Sequence, residues 1–218
     1  MPMHVEIWSD IACPWCYVGK RRFERALAGF DHADEVDVTW RAFQLDPSAP
    51  AARDGNYRDL LARQYGRSDE EAAEMLGQMT AVGAEEGLDL RFEDVRPANT
   101  LDGHRLVHLA ATLGRQDEMK ERLMRAYFSE GELVSDHATL ARLADEVGLP
   151  AARVEAVLGS GEFADRIAAE RELAVGFGLT GVPFFAVERS VGATGAQPAQ
   201  VMTQLLEHSW ERFGGSVA

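Results

Sequence analysis

Cysteine is scarce in this 218-residue chain, which carries only Cys13 and Cys16. A secreted disulfide scaffold needs more cysteines, spread out so that they close long loops. A structural zinc site needs two further ligands beside such a pair. Positive charge is scarce too: 22 Lys and Arg face 36 Asp and Glu, a formal net charge of −14. A surface this acidic repels nucleic-acid phosphates and anionic lipid, so neither nucleic acid nor a membrane is expected as a partner. No apolar run approaches the roughly 20 residues that a membrane helix needs. The opening residues Met1-Pro2-Met3-His4-Val5-Glu6 have neither the basic start nor the apolar stretch of a secretory signal, so a cytoplasmic location is expected. No metal, nucleotide or flavin motif is evident, and no cofactor is expected.

What is present is concentrated at the front. The two cysteines form Cys13-Pro14-Trp15-Cys16, directly after a short β-rich stretch, His4–Trp8, and a turn at Ser9-Asp10. A helical pattern follows, with Tyr17, Phe23, Ala26, Leu27 and Phe30 as its apolar residues, and Pro14 suits its first turn, where an N–H is not needed. Residues 36–43 alternate apolar and polar like a second strand. From about Arg53 to about Phe177 the periodicity is helical. Ser68-Asp69-Glu70-Glu71 is a capping-box pattern, and Asn99 or Thr100 opens another helix. Strand signal returns at Pro183–Val187 and Val191–Thr194, around a charged turn, and a last amphipathic helix runs from Gln197-Pro198 to about Phe213. Removing the helical middle leaves strand–helix–strand, then strand–strand–helix. The expected fold is therefore α/β: a thioredoxin fold with a large all-helical domain inserted between its second and third strands. The expected boundaries are 1–50 and 179–218 for the thioredoxin-like parts and 51–178 for the insertion.

The thiolate, not the thiol, attacks a disulfide, so a dithiol exchanger needs an accessible cysteine of lowered pKa at a helix N-terminus and a second thiol to resolve the mixed disulfide. Cys13 just before the helix suits the nucleophile, and Cys16 in the first turn suits the more buried resolving thiol. Thr180-Gly181-Val182-Pro183 precedes the returning strand, where a loop can meet the dithiol and pair with an extended substrate. Pro14, Trp15, Val182 and Pro183 are the expected substrate-contacting residues, and the partner is a protein or a low-molecular-weight thiol such as glutathione.

Other residues carry weaker signals. Glu6 and Asp10, seven and three positions before Cys13, are candidates for moving protons at Cys16. His104 and His108 are four apart on a helix, but Arg105-Leu106-Val107 between them lacks the glutamate of a zinc protease, so no metal site is expected. Lys20-Arg21-Arg22 reads as a solvated helix face, and the methionines at 75, 79, 119, 124 and 202 read as core.

Four stretches together resemble the DsbA-like oxidoreductases of the FrnE type: residues 8–16, Asn99-Thr100-Leu101, Thr180-Gly181-Val182-Pro183-Phe184-Phe185 and Gly195-Ala196-Gln197-Pro198. The resemblance implies disulfide exchange through Cys13 and Cys16 and a cis peptide at Val182-Pro183. The same superfamily contains 2-hydroxychromene-2-carboxylate isomerases and kappa-class glutathione transferases. Those carry a serine matching Cys13 and Ser-Asp where this chain has Ala196-Gln197. A glutathione-dependent isomerase of small aromatic or polyketide-like compounds and a redox-gated binding or holdase module are the alternatives. DsbA carries Pro-His between its cysteines. Trp15 supplies no cation, so a less depressed thiol and reductase or isomerase work are expected.

Overall fold

The computed structural model describes residues 2–214. Strand β1 (Met3–Ser9) leads through a short loop into helix α1 (Pro14–Ala28), and β2 (Val36–Ala42) returns parallel to β1 with Met3 opposite Val36 and Ser9 opposite Ala42. Seven helices follow: α2 (Tyr57–Tyr65), α3 (Asp69–Glu85), α4 (Leu101–Ala111), α5 (Gln116–Ser129), α6 (His137–Glu146), α7 (Ala151–Leu158) and α8 (Ala164–Gly176). The sheet resumes with β3 (Phe184–Val187) and β4 (Val191–Thr194), and α9 (Ala199–Phe213) closes the described chain. Strand order is β2-β1-β3-β4, with β3 antiparallel to both neighbours. This is the expected α/β thioredoxin arrangement with its helical insertion between the second and third strands.

Strand β1 lies between β2 and β3, and only His4 along it is exposed. Side chains alternate across a strand. Met3, Val5 and Ile7 join the main core with residues of α1 and α9, while Trp8 joins Phe43, Ala174 and Ala186 in a second cluster under α8. The main core is continuous from the sheet into α4, α5 and α6. The insertion therefore packs directly on the sheet whose first strand leads into the dithiol.

Local chemistry sets the helix starts. Ser68 and Glu71 complete the capping box of α3, Asn56 caps α2 by accepting the Asp59 N–H, and Asp136 caps α6 by accepting from Thr139. Asn99 Oδ1 accepts the Leu101 N–H at 2.8 Å, and its amide donates to the carbonyl oxygens of Ala49 and Pro47. Asn99 thus starts α4 and ties it to the loop after β2.

Two readings of the helix faces are corrected. Lys20 is not on a solvated face: its side chain is 1% exposed, paired with Glu24, Asp117 and Glu121. Carboxylates from α5 supply what water otherwise would. Met75 is half-buried and lines a cavity instead of filling the core, whereas Met79 is buried in the core and also borders that cavity.

Candidate active site

Cys13 is the N-cap residue of α1, in extended conformation, and Pro14 occupies the first helical position. The Cys13 carbonyl accepts the N–H groups of Cys16 and Tyr17, which fixes the first turn. Cys13 and Cys16 are both free thiols and come within 3.4 Å of each other. Cys16 is wholly buried. Cys13 is more enclosed than the expected accessible nucleophile, at 5% exposure, and its opening is onto a cavity. Burial, together with the hydrogen bond and charge of Cys13, pushes the Cys16 thiol well up, and the Lys120 ammonium pulls it the other way.

The Val182–Pro183 loop lies on one side of Cys13. The peptide between them is cis, and the Cys13 thiol donates to the Val182 carbonyl at 3.6 Å. The Pro183 carbonyl accepts the Gly195 N–H at 2.8 Å, anchoring the loop to the end of β4. Pro183 also rests on α1: a Cβ on Gly19 would stand 2.9 Å from the Pro183 ring. Pro14 is buried beside the dithiol, and Trp15 is 40% exposed at the cavity mouth.

The cavity lies on the helical side. It has a volume of about 460 Å³, and Cys13, Pro14 and Trp15 form one wall. Tyr57, Leu60, Arg63, Met75 and Tyr127 contribute from the insertion, and Thr100 from the residue before α4. Leu45 and Tyr65 stand exposed at its rim.

Asp10 organises the base of the site. Its carboxylate is buried, accepting from His104 Nε2 at 3.1 Å and from the Leu45 N–H at 2.8 Å. Burial pushes this carboxyl up, but His104 and the Leu45 amide outweigh that, and Asp10 is held below the usual range. Burial and then the Lys120 ammonium push the His104 imidazole down, against the pull of Asp10. Glu6 is differently placed from the expectation of a proton carrier. Arg41 and Arg189 occupy both its oxygens, and these arginines hold it low. The histidines of α4 diverge: His104 bonds Asp10, while His108 Nε2 bonds Glu170 at 3.0 Å under the other face of the sheet.

Lys120, on α5, is the residue that motif reading misses. It is 1% exposed, donates to the Ser9 carbonyl at 3.4 Å, and makes no ion pair among the described residues. Burial brings its ammonium down to about 8, although the negative charges of Cys16, Asp10 and Cys13 oppose the fall. The sequence did hold a signal: Lys120 interrupts the apolar stripe of Met119, Leu123, Met124 and Tyr127 at helical spacing.

Comparison with known proteins places these features. A family model described as a DSBA-like thioredoxin domain matches residues 4–207. A solved probable DsbA oxidoreductase, SCO1869 from Streptomyces coelicolor, is 43% identical, with 99% of this chain and 92% of that chain covered and a TM-score of 0.91. Uncharacterized protein YwbO of Bacillus subtilis (strain 168) is 30% identical over 166 residues, 76% of each chain. The fold is also similar to that of the cytosolic disulfide reductase DsbM from Pseudomonas aeruginosa, solved with GSH, at 22% identity, 95% and 99% coverage and a TM-score of 0.63.

Proposed function

The chain belongs to the DSBA-like thioredoxin domain family, whose members are thiol oxidoreductases and related isomerases, and from that premise we propose that it is a thiol–disulfide exchanger with Cys13 as nucleophile and Cys16 as resolving thiol. The observation that carries the reading is the asymmetry of the pair. Cys13 opens onto a cavity at the positive end of α1, and Cys16 lies wholly buried 3.4 Å away.

The unpaired N–H groups at the start of α1 stabilise negative charge forming on Cys13. Its thiolate attacks one sulfur of a substrate disulfide, and the other sulfur leaves as a thiolate. Val182 and Pro183 flank the sulfur undergoing exchange, and the Val182 carbonyl is in position to pair with an extended substrate backbone. Cys16 then displaces the substrate from Cys13, closing the Cys13–Cys16 disulfide. That second step needs the Cys16 proton removed in a buried setting that holds it. Lys120 is the buried amine whose charge acts on Cys16, brought down to about 8 by burial, with Asp10 and His104 ordering the loop around it. Pro14 and Trp15 form the lip that substrate crosses.

Partners on this reading are protein disulfides or low-molecular-weight thiols and disulfides. A reductase or isomerase direction in the cytoplasm fits a chain whose fold neighbour DsbM is described as a cytosolic disulfide reductase. No helix among the described residues is long and apolar enough to cross a membrane.

The test is the couple itself. Purified protein is equilibrated in graded thiol–disulfide buffers and read by thiol trapping and tryptophan fluorescence. A reversible two-electron couple between about −120 and −270 mV is expected, the span of working exchangers. Failure to form an intramolecular Cys13–Cys16 disulfide overturns the mechanism. Cys16→Ser is expected to accumulate a mixed disulfide on Cys13 and lose multiple turnover.

A further inference from the structure

The hydrogen-bonding balance of the cavity wall is one-sided. Tyr57 and Tyr127 are 5% and 1% exposed, and neither hydroxyl hydrogen-bonds to another described residue. Tyr17, also buried, shows the ordinary case: its hydroxyl donates to Glu121 at 2.7 Å. Neither hydroxyl is sealed from solvent, so both phenols open onto the cavity and can donate to an acceptor that enters it. The wall's own carboxylates are occupied. Asp46 is taken by Arg53 and Ser48, and Asp10 by His104 and Leu45.

Charge follows the same pattern. Arg53, Arg58 and Arg67 are paired with Asp46, Asp69 and Glu71, whereas Arg63, on the cavity, makes no ion pair among the described residues. Apolar side chains also line the wall, with Leu60 and the thioethers of Met75 and Met79 able to pack against a ring. The volume lies within the range of small-molecule sites.

We propose that this cavity is a binding site for a small disulfide with an apolar body and a carboxylate, held by Tyr57, Tyr127 and Arg63 so that one of its sulfurs meets Cys13. The inference rests on the exchange reading above and adds to it a substrate class and a place distinct from the Val182–Pro183 loop. Cys13 thiolate attacks the near sulfur, the far half departs as a thiolate with the electron pair of the broken bond, and a mixed disulfide forms. Cys16, once deprotonated, displaces the near half as a second thiolate. The dithiol is oxidised by two electrons, the bound disulfide is reduced by two, and the cysteine protons pass to solvent.

The test uses the full reduced protein and two aromatic disulfides of similar size, dithiobis-nitrobenzoate, which carries carboxylates, and neutral dithiodipyridine. Stopped-flow absorbance follows release of the aryl thiolate. The rate is expected to saturate with the carboxylate probe, with a half-saturation concentration at least about tenfold below that of the neutral probe, the effect of one charge-assisted contact. Arg63→Gln is expected to erase most of that preference, Arg63→Lys to restore part of it, and Tyr57→Phe to raise half-saturation for the carboxylate probe. Nitrobenzoate, which has no sulfur, is expected to compete. Rates linear in both probes, or a preference unchanged by Arg63→Gln and Tyr57→Phe, overturn the site. If the Cys13–Cys16 couple forms normally in redox buffers, such a result removes the binding site and leaves the exchange reading standing. If no couple forms, it is the exchange reading that fails.

Discussion

Lys20 and Lys120 each place an ammonium 5.8 Å from the centre of the Trp40 ring, yet their surroundings drive them in opposite directions. Both are 1% exposed. Burial lowers each, but Asp117, Glu24 and Glu121 more than compensate at Lys20, which ends above the usual lysine value. Lys120 meets only a carbonyl and falls to about 8. One lysine joins α1 to α5 as a structural ion, and the other is a titratable group beside the dithiol.

Lys120→Met is expected to stabilise the reduced protein at pH 7 by about 1–3 kcal/mol, because it removes a buried ammonium that makes no direct ion pair. The sign of the pH dependence follows from the lowered value. Between about 8 and the ordinary 10.5, the unfolded chain keeps the lysine proton while the folded chain has released it, so wild-type stability gains from this group as pH rises through that window. Denaturant unfolding across that range should show the gain in the wild type and lose it in the variant. If Lys120 also takes the Cys16 proton, the variant resolves mixed disulfides at least about tenfold more slowly and loses the inflection near pH 8.

Glu170 predicts an acid-unfolding window. Burial pushes its carboxyl up, but the hydrogen bond and charge of His108, the Ala42 N–H and Arg41 bring it down to about 2. A lowered carboxyl contributes stability above its unfolded value of 4.5 that is lost as pH falls through 2, on the order of 3 kcal/mol. Circular dichroism from pH 5 down to about 2 should show Glu170→Gln already destabilised at neutral pH and flatter through this window. Asp10 and Glu6, also held low, keep the remaining slope.

Gly19→Ala tests the contact between α1 and the Pro183 loop. The new methyl would stand 2.9 Å from the Pro183 ring and 3.4 Å from Phe185. Helix propensity gains up to about 1 kcal/mol from the change, and overpacking costs about 1–3 kcal/mol. A net loss of stability is expected, with a raised KM for polypeptide disulfides because the loop moves off Cys13. Unchanged KM and melting temperature would show that the loop yields freely.

Asp10→Ala is expected to cost about 2–4 kcal/mol, because it frees the buried His104 imidazole and the Leu45 amide together. Asp10→Asn keeps an acceptor for Leu45 and should recover part of the loss. Thermal unfolding of the two variants separates the amide's share from the imidazole's.

The parts of this protein written in contiguous residues were legible. The pairing of Cys13 with Cys16 was readable because both thiols sit on one helical turn, and Val182-Pro183 stands directly before the strand that delivers it. Hairpin and capping box were likewise local. What stayed hidden depended on distant packing. Lys20 read as solvated because its carboxylate partners Asp117 and Glu121 lie about a hundred residues on. Glu6 read as a proton carrier because nothing nearby announces Arg41 and Arg189. Tyr57 and Tyr127 are ordinary core residues by pattern, and only the cavity between their helices gives their hydroxyls a role.

The strand order bears on synthesis. The cysteines lie at the front of the chain, whereas β3, which pairs with β1, and the Val182–Pro183 loop are made only after the whole helical insertion. At ribosomal rates of about 5–20 residues per second, roughly seven to thirty seconds separate β2 from β3. Through that interval a nascent chain can present Cys13 and Cys16 without the loop that finally flanks them. Premature oxidation or capture of those thiols is therefore a hazard of translation until β3 arrives.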